Sequence, residues 1–126
     1  MTQRVEHSYE FSFKAKDELL YTYISTPYNL SSWFADDVKA DGDVYVFTWK
    51  GSSEKARATK RVFKKKLVFQ WMERDAEEFL TFLISTDEVT GSTLLVIKDY
   101  DDIEQYDESY MMWENTIQKL KRIIGG

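Results

Sequence analysis

Residues 103–124 read IEQYDESYMMWENTIQKLKRII, and Ile103, Tyr106, Tyr110, Trp113, Ile117, Leu120 and Ile124 recur in this stretch at steps of three and four. That spacing predicts a long helix with one apolar stripe, from about Ile103 to Ile124. Asp101, Asp102, Glu104, Asp107 and Glu108 crowd its start, while Lys119, Lys121 and Arg122 sit near its end, the order that the helix dipole favours. Gly125-Gly126 supplies a stop. A stripe of this length has to be covered, and the residues before it offer strands rather than further helices.

Reading backwards from the helix, Ser92 to Asp99 and Glu78 to Thr86 form two strands separated by Thr90-Gly91-Ser92. Leu67, Phe69 and Trp71 alternate in a strand that leaves the charged bend Lys64-Lys65-Lys66. The strand before that bend puts Ala56, Ala58, Lys60 and Val62 on one face, which predicts an inward Lys60. Asp41-Gly42-Asp43 is a turn that feeds Tyr45, Phe47 and Trp49. Near the start, Val5, His7, Tyr9, Phe11 and Phe13 alternate with polar residues as a half-buried strand does. Between it and the Gly42 turn lie two short helices. The first, Lys16 to Ser25, presents Leu19, Leu20, Tyr23 and Ile24 and stops at Thr26-Pro27; the second runs from Pro27 to about Phe34. The expected architecture is α+β and a single domain over residues 1–126. A curved antiparallel sheet of about six or seven strands wraps around the long C-terminal helix, with two short helices after strand one.

Composition narrows the function classes. A chain of 126 residues with eight Phe, eight Tyr and four Trp has bulky groups enough for a large core or a lined pocket. The absence of cysteine excludes disulfides, thiolate metal sites and a cysteine nucleophile. No stretch approaches the ~20 apolar residues of a transmembrane segment, and MTQRVEHSYE carries no apolar signal region, so a cytoplasmic location is expected. A net charge of -5 opposes nucleic-acid binding. The charge is unevenly spread: Lys50 to Arg74 holds nine bases against two acids, an excess of seven positive charges that leaves the rest of the chain strongly acidic.

Several positions together resemble the START-like, helix-grip (SRPBCC) superfamily, and within it the homologues of the activator of heat-shock protein 90 ATPase. They are Thr26-Pro27 with Trp33-Phe34-Ala35-Asp36; the Gly42 turn leading into Phe47 and Trp49; Leu67, Phe69 and Trp71 after a basic turn; Gly91-Ser92-Thr93-Leu94 opening the last strand; and Trp113 in the final helix. The resemblance implies a sheet gripping the C-terminal helix around an apolar cavity, which relatives use for hydrophobic molecules. It transfers the container and no particular reaction. Near the end of the last strand such homologues commonly carry a His-type residue; this chain has Asp99.

The expected function is non-catalytic binding of a small hydrophobic, lipid-like or aromatic molecule between sheet and helix. From the sheet, the cavity candidates are Phe11, Phe47, Trp49, Phe69, Trp71 and Phe82. Trp33 joins them from the short helix, and Tyr106, Tyr110 and Trp113 from the long one. Lys60 and Asp99 are the candidate polar contacts. A cyclase- or hydrolase-like enzyme would need an acid and a base at one wall, and no such pair can be placed from sequence; the single histidine, His7, reads as a satisfied strand residue. The run Asp99, Asp101, Asp102, Glu104 lacks the glycine and terminal glutamate of a calcium loop, so neither metal nor cofactor is expected. An alternative is a cochaperone-like module docking an acidic partner protein through the basic 57–66 hairpin, with Lys64, Lys65 and Lys66 at its tip. Met111 and Met112 fall off the apolar stripe and are candidates for a partner surface, including a homodimer.

Overall fold

The computed structural model describes residues 3–126. Ten residues of strict alternation make the first strand, β1 (Arg4–Phe13), in which His7, Tyr9, Phe11 and Phe13 are buried and Arg4, Ser8, Glu10 and Ser12 exposed. The chain continues through α1 (Asp17–Ser25) and α2 (Pro27–Leu30) into β2 (Asp37–Asp41), β3 (Val44–Trp49), β4 (Ser52–Val62), β5 (Lys66–Trp71), β6 (Phe79–Thr86) and β7 (Thr93–Asp102). A 3-10 turn over Ile103–Gln105 leads into α3 (Tyr106–Ile124), which ends at Gly125 in the left-handed conformation, with φ 90°.

All seven strands form one antiparallel sheet in the order β1-β7-β6-β5-β4-β3-β2. From β2 to β7 it is a meander of consecutive neighbours, and β1 adds beside β7 with Tyr9 opposite Ile97 and Phe11 opposite Leu95. The connection from β1 to β2 therefore links the two edges and has to cross the sheet. It does so on the face that α3 also covers: Leu20 and Ile24 of α1 are buried in the same core as Phe47, Phe69, Phe82, Ile97, Ile117 and Leu120. The opposite face is polar on β1 and mixed on the central strands, where Val68, Leu83, Leu94 and Val96 are half-buried; no helix among the described residues covers it, so the sheet buries one side fully. The α+β helix-grip architecture expected from the sequence is the one observed.

Three local readings are corrected. The second helix stops at Leu30 rather than near Phe34, because the Ser31 and Ser32 hydroxyls donate to the Tyr28 and Asn29 carbonyls and close the chain into turns. β2 escaped notice since only Val38 of its five residues is apolar and inward; its charged Asp37, Lys39 and Asp41 suit an edge strand that must not pair further. The long helix starts at Tyr106, because β7 runs on to Asp102 and the Ile103 N–H donates to the Gln3 carbonyl at 2.6 Å. The apolar stripe accordingly buries Trp113, Ile117 and Leu120 and leaves Ile103 and Tyr106 exposed.

A fourth correction concerns Lys60. Ala56 pairs with Trp71 and Ala58 with Phe69, but Lys60 pairs with Val68, so the register slips by one residue at Thr59. This β-bulge reverses the facing of everything after it. Lys60 lies exposed on the outer face, and Arg61 takes the inward register opposite the buried Leu67. Arg61 reaches the Tyr45 hydroxyl at 3.3 Å and Asp43 at 3.2 Å. Lys60→Ala is accordingly expected to change the unfolding free energy by less than about 0.5 kcal/mol, whereas Arg61→Ala costs about 1 kcal/mol. Urea melts of the two variants check this; a larger loss at Lys60 would contradict the bulge.

Candidate functional site

The inner face is filled along most of its length. Phe47, Phe69 and Phe82 are fully buried among other side chains, and Phe11 stacks on Tyr110 with ring centres 5.9 Å apart. Trp33 packs near Phe82 and its indole N–H donates to the Tyr23 carbonyl at 2.9 Å. Space opens where α3 passes over the ends of β3, β5 and β7. There a cavity of about 270 Å³ lies between sheet and helix. Trp49 of β3, Trp71 of β5, Asp99 of β7 and Trp113 of α3 line it, so four of the sequence candidates come together from four elements. Phe34, Glu54, Arg74, Met112 and Thr116 complete the wall.

Alternation explains the convergence. Trp49 is two residues beyond the inward Phe47, Trp71 two beyond Phe69, and Asp99 two beyond Ile97. Trp49 and Trp71 are the last inward positions of their strands and Asp99 is the last but one, before Asp101, so all three face the same end of the helix. Phe34 holds the aromatic part together: its ring stacks on Trp113 at 5.7 Å and meets the Trp49 ring edge-on at 5.4 Å. The Trp49 indole N–H donates to the Phe34 carbonyl at 2.8 Å. The Trp71 indole N–H, by contrast, is buried and has no acceptor among the described residues.

The polar wall is built around Arg74. Its guanidinium sits 4.5 Å from the Trp71 ring centre and donates to Glu54 at 2.6 and 3.1 Å and to Glu78 at 2.7 Å. Glu78 is 2 % exposed and accepts two further bonds from Arg4 at 2.7 and 2.9 Å, which hold its carboxyl below the usual range against the opposing effect of burial. Asp99 has no such partner. Among the described residues it accepts only the N–H of Tyr100, at 2.9 Å. Its accessible surface opens into the cavity and protein encloses the rest, and this desolvation pushes the carboxyl up to about 6, despite the attraction of Arg74.

The other sequence candidates lie elsewhere. Tyr106 and Tyr110 stack with His7 and Tyr9 where α3 begins, and His7 Nε2 is 3.0 Å from the Asp102 carbonyl, a satisfied ring. Lys64 pairs with Glu18 at 3.8 Å and sits over Phe63, so part of the basic hairpin is engaged within the chain. Met111 and Met112 of α3 are both exposed, 62 % and 57 %, and Met112 also lies at the cavity mouth. Sequence reasoning missed Phe34, Glu54, Arg74 and Thr116. Arg74 entered it only as one of nine bases, and the signal that sets it apart, a buried glutamate four residues on, is visible only in the folded chain.

Among the described residues no group of three or more His, Asp or Glu side chains could hold a metal ion, and no helix is long and apolar enough to cross a membrane. The family model of the START-like superfamily domain matches residues 1–126. Among solved structures, the Aha1 dimer from Colwellia psychrerythraea superposes with a TM-score of 0.80 at 18% identity, over 95% of this chain and 96% of that one. A protein from Mesorhizobium loti gives 0.79 at 15% identity, covering 96% and 97% of the two chains, and one from Bacteroides fragilis gives 0.65 at 27%, covering 97% and 90%. No curated protein matches the chain.

Proposed function

Since the chain belongs to the START-like superfamily, we propose that it binds a small, largely apolar molecule in the cavity between the sheet and α3, without transforming it. The observation that carries this reading is the convergence of Trp49, Trp71, Trp113 and Asp99 on one opening, while Phe47, Phe69 and Phe82 deeper on the inner face are fully buried. Binding sites are concave and mostly apolar, with a few placed polar groups that fix orientation. About 270 Å³ lies at the lower edge of the usual volume range, so the ligand is compact rather than a long acyl chain. In the cavity the Glu54 carboxylate and the Arg74 guanidinium are tied in an ion pair and the Thr116 hydroxyl donates to the Met112 carbonyl, so among the described residues no nucleophile is hydrogen-bonded to the unpaired Asp99, which supports retention over turnover.

Three of the four tryptophans line the site, so ligand entry reports directly on fluorescence. Titration with a panel of small aromatic and branched aliphatic compounds is expected to give saturable quenching and a raised melting temperature. Thr116→Trp, which fills the mouth from α3, is expected to weaken the response at least about tenfold without loss of fold. Failure of every compound, or binding indifferent to Thr116→Trp, overturns the reading.

A further inference from the structure

The site's charge and its aromatic walls define a ligand class more narrowly than its volume does. Phe34, Trp49, Trp71 and Trp113 present four aromatic side chains around one opening, from the turn after α2, from β3, from β5 and from α3. Such rings attract cations through the negative potential of their faces, and one ring here is already used that way by the Arg74 guanidinium. Arg74 itself does not make the cavity positive. Within its network the guanidinium groups of Arg4 and Arg74 are matched by the carboxylates of Glu54 and Glu78. The carboxylate of Asp99 is left over, unpaired by any side chain among the described residues and open to the cavity. Asp101 further along β7 adds to the same sign and accepts the Ser109 hydroxyl at 2.6 Å, so it stays on this side of the sheet, whereas Asp102 pairs with Arg4 at 3.9 Å.

We infer that the cavity selects a small organic cation, an amine or quaternary ammonium group on an apolar body, with Asp99 as counter-charge and Trp49, Trp71 and Trp113 as the enclosing aromatic walls. A carboxylate facing tryptophan rings suits an ammonium head: the charge is met by Asp99 and the methyl or methylene groups are met by the rings. Neutral ligands of the same shape leave Asp99 desolvated and unpaired, and anions meet it as a like charge. The mixed wall thus discriminates on charge more sharply than on shape.

This inference rests on the cavity reading above, and the experiment separates the two. Benzyltrimethylammonium and choline are titrated against the full chain by tryptophan fluorescence and calorimetry, beside neohexyl alcohol, the uncharged isostere of choline, and phenylacetate as an anion. The cations are expected to bind at least about tenfold more tightly than the neutral isostere, and Asp99→Asn to erase that difference. Equal or tighter binding of neohexyl alcohol or phenylacetate overturns the cation preference while the cavity reading stands. If no probe binds, both fall. The contrast between probes on the unaltered chain decides the matter even if Asp99→Asn does not fold.

Discussion

Glu78→Gln is expected to lower the free energy of unfolding by about 3 kcal/mol at neutral pH, the larger of two electrostatic effects centred on this end of the sheet. The carboxylate accepts three charge-assisted hydrogen bonds, two from Arg4 of β1 and one from Arg74 after β5, at 2.7 to 2.9 Å. Glutamine keeps the shape and removes the charge, so two guanidinium groups are left facing each other across an amide. Removing one partner of a buried pair costs about 3–5 kcal/mol. The lower figure applies because the Arg4 side chain is 45% exposed and water can rehydrate it. The pH dependence has a definite sign. Arg4, then Arg74, hold the Glu78 carboxyl below its ordinary value of 4.5, so between the two values the unfolded chain binds more protons than the folded one, and stability rises with pH. The contribution is complete above about 4.5 and disappears as pH falls through the lower, folded value. Urea melts at a series of pH values check this: the gap between native and Glu78→Gln proteins should close on the acid side, and parallel curves would show that Glu78 is not the ionised bridge described.

That network marks the boundary of what the sequence discloses. Strand β1 and the core of α3 were readable because apolar residues recur at fixed steps of two and of three or four, and burial follows those steps. The inward Trp49, Trp71 and Asp99 follow from the same rule carried two residues past the last fully buried position. Lys60 shows where the rule breaks. One extra residue at Thr59 leaves no mark on hydrophobic periodicity, since Thr59, Lys60 and Arg61 are all polar, and only pairing with β5 reveals the slip. β2 was invisible for a related reason, having a single buried apolar residue, Val38. Tyr106 and Tyr110 carried the right spacing and do stack on Tyr9 and Phe11 of β1, away from the cavity, so spacing predicted a face and not which part of it stays open. Arg74 and Glu78 are close in sequence, but Arg4 and Glu54 join them only through strand order, and no local pattern encodes a four-residue charge network. The cavity is legible in its aromatic types and not in its polar floor.

Asp99→Asn is expected to act in the opposite direction and stabilise the ligand-free protein, by about 2 kcal/mol at slightly alkaline pH. A folded carboxyl held at about 6 against an ordinary 3.8 corresponds to about 3 kcal/mol when fully ionised, and solvent reaching it through the cavity mouth reduces this to about 2 kcal/mol. Asparagine keeps an oxygen to accept the Tyr100 N–H and has no charge to desolvate. Between about 3.8 and 6 the folded protein binds more protons than the unfolded chain, so the native protein loses stability as pH rises through that window. The variant lacks this slope. The two melting curves should coincide in acid and separate by roughly 8 °C above neutrality, and a variant less stable than the native protein at alkaline pH would mean that Asp99 is paired. A residue that weakens the empty fold is a poor candidate for a structural role. Residues of this kind are retained where a bound group restores what the charge costs, and an ammonium ion opposite Asp99 would do so: it favours the ionised carboxylate, lowers its protonation range and stabilises the native state in proportion to its concentration. Benzyltrimethylammonium should therefore raise the melting temperature of the native protein most above neutrality, where the carboxylate is charged and unpaired, and raise that of Asp99→Asn little at any pH.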